Sequence, residues 1–258
     1  IKNKKYDIVT SIGVIHHTAN PKLALKKISN FVKRDGYLIL GAATDDGFFQ
    51  RNLQRIIINK FAKFKEHEKI EQIALKLFSE NIYRANKFGA RSIKAIIHDT
   101  YINPKIKGIS FDNILYVLGK KFSYFSSAPD VNFIKNYDSP LSYNTDYFIK
   151  LKNLTSLSKI FMISNSENYI KKYVKLNSKL KKFSKLNLKL INSTSDFNYS
   201  KKVNFTKLKK NILEYQKNFL KISTMEEVFY EHKIFLNELE TLIKNFNKYD
   251  LDQMRKYI

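Results

Sequence analysis

The chain has 258 residues, of which 47 are Lys or Arg and 23 are Asp or Glu, for a formal charge of +24. That length can bury one large core or two modest ones, and the complete lack of cysteine excludes disulfides and thiolate metal sites. No apolar run approaches the roughly 18 residues of a membrane span and no signal-peptide pattern opens the chain, so a cytoplasmic protein is the expectation.

The positive charge has two readings. One is a polyanion partner, nucleic acid above all. The other is codon bias: Lys, Asn, Ile, Phe and Tyr are abundant while Gly is scarce and Trp absent, as in an AT-rich genome. The first residue is Ile rather than Met, which reads as a fragment or a processed product.

After a basic lead-in, Asp7 to Ile12 is short, β-branched and largely apolar, and Gly13 breaks it. Asn20-Pro21 is a helix start, with Asn as cap and Pro where no donor is needed. Ala24, Ile28 and Phe31, with Leu25 and Val32 beside them, predict one apolar helix face. Asp35-Gly36 is a turn pair. The run YLILGAA that follows predicts a strand covered on both faces. Strand, helix and strand of this length make a βαβ unit with parallel strands and a right-handed crossover.

Asp45-Asp46-Gly47 is a turn just past the second strand. Phe48 to Phe64 predicts a helix through Leu53, Ile57 and Phe61; Ile70 to Tyr83 a second, through Ile73 and Leu77; Ser92 to His98 a short third. Phe111 to Leu118 is a helix with Ile114, Leu115 and Leu118 inward and Gly119 at its C-cap. Phe122 to Phe125, Ile160 to Ile163 and Tyr169 to Val174 are strand candidates. Lys171 to Lys189 then carries eight Lys and no acid, and Asn192 to Ser200 is a polar linker. Leu208, Ile212, Tyr215 and Phe219 share one helical face. Thr224 to Glu227 reads as a capping box, and Val228, His232, Phe235, Leu239, Leu242 and Phe246 as an apolar seam, together a helical hairpin.

The candidate chemistry lies first at the carboxyl end of the first strand, where open α/β sheets bind ligands. Ser11, Ile12 and Gly13 are candidate cofactor-binding residues, Gly13 because it lets backbone approach a ligand closely. His16 and His17 are the catalytic candidates, facing the reacting group, one as a general base; the alternative is that they are loop residues packed on the next helix. Asp45 and Asp46 are candidate substrate-lining residues, with a solvated turn as the alternative. Glu66-His67-Glu68 lacks the second His of a zinc helix, so no metal site is expected. The Lys171 to Lys189 run, with interleaved Leu and Phe183, is a candidate surface for RNA or for an anionic membrane, or else a solvated basic segment.

The segment YDIVTSIGVIHHTANP, its amphipathic helix and DGYLIL resemble strand four, helix and strand five of class I S-adenosylmethionine-dependent methyltransferases. The family's usual Lys-Pro-Gly-Gly turn is Lys33-Arg34-Asp35-Gly36 here. Asp99 to Pro104 is similar to a downstream segment of a bacterial subset, which has His where this chain has Asn103. The resemblance implies S-adenosylmethionine as cofactor, methyl transfer as the activity, and helices 48–100 as an insertion over the cofactor cleft. It implies that His98 and Tyr101 lie near the active-site side, as further candidate substrate-lining residues. It also implies a Gly-rich turn and an acidic residue on earlier strands. The chain has seven glycines, no G-x-G, and its first strand at residue 6.

The expectation is therefore α/β: a partial Rossmann-like methyltransferase sheet over residues 1–174, with inserted helices, and a basic, mostly helical C-terminal extension over 175–258. The N-terminal cofactor-binding strands are expected to be missing, and the chain alone to be inactive. The alternative function is a non-catalytic basic module that binds RNA or an acidic partner through its C-terminal region.

Overall fold

The computed structural model describes residues 4–44, 48–63, 65–103, 106–119, 121–123, 125, 185, 186, 188–194, 203–223 and 230–257. The chain divides into two compact units, Ile1–Gly47 with Lys105–Asn187, and Phe48–Pro104 with Leu188–Ile258. The second unit thus takes the inserted helices together with the C-terminal ones. The division read from sequence at 174/175 falls outside the described residues.

In the first unit, β1 (Tyr6–Ile12), α1 (Pro21–Ser29) and β2 (Val32–Gly41) form a βαβ element whose strands pair in parallel. Asn20 caps α1 by accepting the Leu23 N–H at 3.0 Å, with Pro21 at the first helical position. The helix ends at Ser29, earlier than expected, so Phe31 and Val32 are not on its face, and Val32 opens β2. Its buried stripe is Pro21, Leu25 and Ser29.

The pairing register jumps between Tyr6↔Val32 and Ile8↔Tyr37, leaving residues 33–36 as a bulge. Asp35 sits there at φ +61°. A Cβ on Gly36 would lie 2.7 Å from the Asp7 carbonyl oxygen, so the close approach of the two strands requires glycine at this position.

The second strand is not covered on both faces. Side chains alternate along it: Leu38 and Leu40 pack with Ile15, Leu25 and Ile109, joined by Ile114, Val117 and Leu118 of α5 (Phe111–Leu118). Tyr37 and Ile39 point the other way and are exposed, beside Ile8 and Ile12 of β1 at 60% and 68% exposure. In α5, Val117 takes the inward place expected of Leu115, and Gly119 is right-handed at φ −61°, so it is not a left-handed cap. Phe122, Ser123 and Phe125 are not in a strand, and among the described residues the sheet has two strands. The strand candidates at 160–163 and 169–174 lie outside them.

The second unit contains α2 (Phe48–Phe61), α3 (His67–Gly89), α4 (Ile93–Ile97), α6 (Phe205–Ser223), α7 (Tyr230–Asn245) and α8 (Leu251–Arg255). α2 ends at Phe61 and α3 starts at His67, so the break between them is as long as expected but lies three residues earlier. α3 is kinked at Phe78 and stopped by Ala90, left-handed at φ +47°. Ser92 caps α4, which runs into a π-helical turn, His98–Ile102.

One apolar cluster joins Ile56, Ile70, Ile82, Ile97 and Tyr101 to Leu242, Phe246 and Met254. Lys60 donates to the carbonyls of Phe246 and Tyr249, a cation at the C-terminal end of α7. Asp250 and Gln253 form a reciprocal capping box on α8. Leu208, Ile212, Tyr215 and Phe219 are all buried on α6. On α7 the buried positions are Leu236, Leu239, Leu242 and Ile243, followed by Phe246 just past its end. Thr224 to Val228 and the His232 side chain lie outside the described residues. No helix among the described residues is long and apolar enough to cross a membrane.

Candidate functional site

The carboxyl ends of β1 and β2 are tied together by backbone. The Gly13 N–H donates to the Gly41 carbonyl at 2.8 Å, and Gly13 turns the chain at φ +73°. Among the described residues nothing lies within 4 Å of where a Gly13 Cβ would stand. The glycine is therefore required by the left-handed backbone rather than by crowding, and the loop surface above it is open. Ser11 and Ile12 alternate: Ser11 is buried on the covered side of the sheet and Ile12 is exposed on the other.

The turn after Gly13 is a short 3-10 helix, Ile15–His17, closed by the Thr18 hydroxyl donating to the Ile15 carbonyl at 2.6 Å. Ile15 is its anchor, fully buried against Leu25 and Ile109. His16 is buried with it. Its Nδ1 accepts the Ala43 N–H at 3.4 Å, and its carbonyl accepts the Lys107 N–H at 2.8 Å. An Nδ1 that accepts fixes the proton of the neutral ring on Nε2.

The His17 ring lies 4.3 Å from that of His16, tilted by 45°, and is half-buried. The segment after residue 106 completes the rim. The Ile109 N–H donates to the Ala43 carbonyl at 3.1 Å, and Lys107 Nζ to the Ala19 carbonyl at 3.0 Å. This strap was not legible in the sequence, because its bonds join backbone groups far apart in the chain.

Thus Ser11, Ile12, Gly13, His16 and His17 come together at one sheet edge, with His16 held in the wall and Gly13 and His17 nearer the surface. Asp45 and Asp46 lie outside the described residues. His98 and Tyr101 belong to the second unit. His98 is exposed, and its carbonyl accepts the Asn103 N–H at 2.8 Å as the π-helical turn closes. Asp99 pairs with Arg91 at 3.0 Å.

Tyr101 is 2% exposed and stacks on Phe78 with ring centroids 5.7 Å apart. Its hydroxyl reaches Gln54 Oε1 at 3.3 Å. Burial raises its pKa well above that of an ordinary phenol, against the opposing pull of Arg51 and Arg55. Arg55, which the sequence reading did not single out, is buried and spans the turn, with Nε on the Thr100 carbonyl and Nη2 on the Asn103 carbonyl, both at 2.7 Å.

Among the described residues no group of three or more His, Asp or Glu could hold a metal ion. Of the basic run, Lys185, Leu186, Leu188 and Lys189 are described, and Lys189 pairs with Glu214 at 3.4 Å.

Residues 1–40 match the family model of a methyltransferase domain. The matched stretch takes in β1, α1 and β2 almost to its end, together with the Gly13 turn and both histidines. No curated protein and no solved structure matches the chain. The βαβ element is thus similar to part of a methyltransferase domain.

Proposed function

We propose that the protein takes part in methyl transfer from S-adenosylmethionine, with the edge formed by Gly13, His17 and the Ala43 region as its share of the cofactor crevice in a Rossmann-like domain. The observation that carries this is the family match over residues 1–40 on a parallel βαβ element whose carboxyl-end turn is open above Gly13. A ligand at this edge would meet backbone at Gly13, with no side chain in the way. Methyl transfer from a sulfonium needs mainly an acceptor held in line, so positioning outweighs acid–base chemistry.

With Nδ1 of His16 engaged by Ala43, His16 holds the second strand's end against the turn; His17, half-buried, is the histidine of the pair nearer the surface. A base is optional for many acceptors, and His17 serves first to shape the crevice.

The test uses protein expressed from the whole open reading frame that encodes this chain. Calorimetric titration with S-adenosylhomocysteine should show micromolar binding, and Gly13→Val should abolish it. Valine at φ +73° is strained, so the turn must change shape. Circular dichroism should show that the variant stays folded. No binding by the unaltered protein, or equal binding by a folded Gly13→Val variant, overturns the proposal.

A further inference from the structure

We propose that the face of α2 carrying Phe48, Arg51, Asn52 and Arg55, beside the π-helical turn, is a binding site for an anionic group, a phosphate or a carboxylate. The inference concerns the second unit alone and does not depend on the methyltransferase reading.

The spacing i, i+3, i+4, i+7 places these four residues on one side of the helix. Arg55, at 4% exposure, is fixed by its bonds to the Thr100 and Asn103 carbonyls. Arg51 lies one turn earlier, its guanidinium carbon 5.3 Å from the centre of the Phe48 ring. Stacking on a ring orients a guanidinium while leaving its in-plane donors free. Among the described residues those donors have no hydrogen-bond or ion-pair acceptor.

Asn52, next to Arg51 on the same face, is 8% exposed, and its amide likewise has no hydrogen-bond partner among the described residues. A buried side-chain amide is ordinarily satisfied. An arginine and an amide left open side by side point to an acceptor that comes from outside the protein.

The charge around the face points the same way. Arg91 pairs with Asp99 on the π-helical turn. Three guanidinium groups, of Arg51, Arg55 and Arg91, therefore surround one carboxylate and the Tyr101 hydroxyl among the described residues. Like charges at i and i+4, as in Arg51 and Arg55, repel. Partial burial lowers the Arg51 pKa, Asp99 and Tyr101 offset part of this, and Arg91 adds to the lowering. A fork-shaped donor matches the paired oxygens of phosphate or carboxylate. A bound anion would neutralise Arg51, accept from Asn52 and relieve the repulsion in one step. The π-helical turn shapes the floor, and such turns recur at ligand sites.

The test is thermal unfolding of the full chain at constant ionic strength, titrated separately with inorganic phosphate and with acetate. Constant ionic strength removes the general screening expected of a +24 protein. The unfolding temperature should rise saturably with at least one probe, and the tighter one identifies the group as phosphate-like or carboxylate-like. Arg51→Gln should weaken that binding at least tenfold, while raising the unfolding temperature of the unliganded protein by removing a desolvated charge.

Lys94→Gln, which removes the same charge from an exposed position on α4, should change affinity less than twofold. Should Arg51→Gln fail to fold, Arg51→Lys replaces it, keeping charge but losing the fork, and is again expected to weaken binding. Equal affinity in the Arg51 variant and the unaltered protein overturns the proposal, as does equal weakening by Lys94→Gln or the absence of saturation with both probes.

Discussion

The two units cover their apolar surface to different degrees. In the helical unit one continuous cluster draws buried side chains from α2, α3, α4, the π-helical turn, α7 and α8. In the sheet unit Ile15, Leu25 and Ile109 are the buried centre, and Tyr6, Ile8, Ile12, Tyr37 and Ile39 form an exposed apolar face on the other side of the strands. The reason is geometric. Each helix of a bundle meets several neighbours with one apolar stripe, whereas a crossover helix can shield one side of a parallel pair and leaves the other bare. Among the described residues, the stretch that carries the family match is thus the one with less core behind it.

Truncation of a core ring should show the contrast most strongly. Phe78→Ala removes a ring that is 2% exposed and stacked on Tyr101, and should cost about 3–5 kcal/mol. Hydrogen exchange should locate the loss in α3 and α4 while leaving β1–β2 amides unchanged; equal loss in both units would break the comparison. Leu25→Ala, from the smaller core, should fall nearer the lower end of the large-to-small range, about 2 kcal/mol, since half-exposed neighbours can close around the gap.

Gly36→Ala tests the bulge. Its Cβ would press on the Asp7 carbonyl at 2.7 Å, costing about 1–3 kcal/mol as local overpacking. Amides from Ile8 to Ile12 should lose protection first. A neutral result would mean that the strands separate there without cost.

The exposed sheet face sharpens the comparison in the other direction. Ile8→Thr with Ile39→Thr should change the urea-unfolding free energy by no more than about 0.5 kcal/mol, as at other exposed sites, and should reduce light scattering at high concentration. A loss near 2 kcal/mol would show that this face is covered in solution.

The smallest effect belongs to an exposed ion pair. Asp252 accepts from Lys76 at 2.7 Å, and that bond, with the charge behind it, holds its carboxyl below the usual range. A depressed folded pKa gives stabilisation that is present above the unfolded value of about 3.9 and lost as pH falls through the folded one. Lys76→Met should flatten the acid limb of a stability–pH curve; an unchanged slope would assign that limb to other carboxylates.

What the sequence disclosed was local. Asn20-Pro21 announced a helix start because capping depends on residues three apart, and Leu208, Ile212, Tyr215 and Phe219 announced a buried stripe because period alone fixes a face. The run YLILGAA misled, since an unbroken apolar strand reads the same whether one side or both are covered. Arg55 and the His16 wall were hidden for a different cause. Their partners are carbonyls and amides of Thr100, Asn103, Ala43 and Lys107, and every residue type except proline offers both groups, so no side-chain pattern marks them. Arg51 and Asn52 looked like ordinary polar positions on an amphipathic helix until the burial of Asn52 and the stacking of Arg51 on Phe48 were known.

The helical unit is assembled from two stretches of chain, residues 48–104 and 188–258. On a ribosome those stretches do not appear together. At 5–20 residues per second the second follows the first by on the order of 10 s. For that interval Ile56, Ile70, Ile82 and Ile97 have no Leu242, Phe246 or Met254 to meet, and Lys60 has no helix end to close. The nascent chain therefore passes through a stage with this apolar surface unmatched. Chaperone demand during synthesis should be set by the arrival of residues 188–258 rather than by the stability of the finished fold.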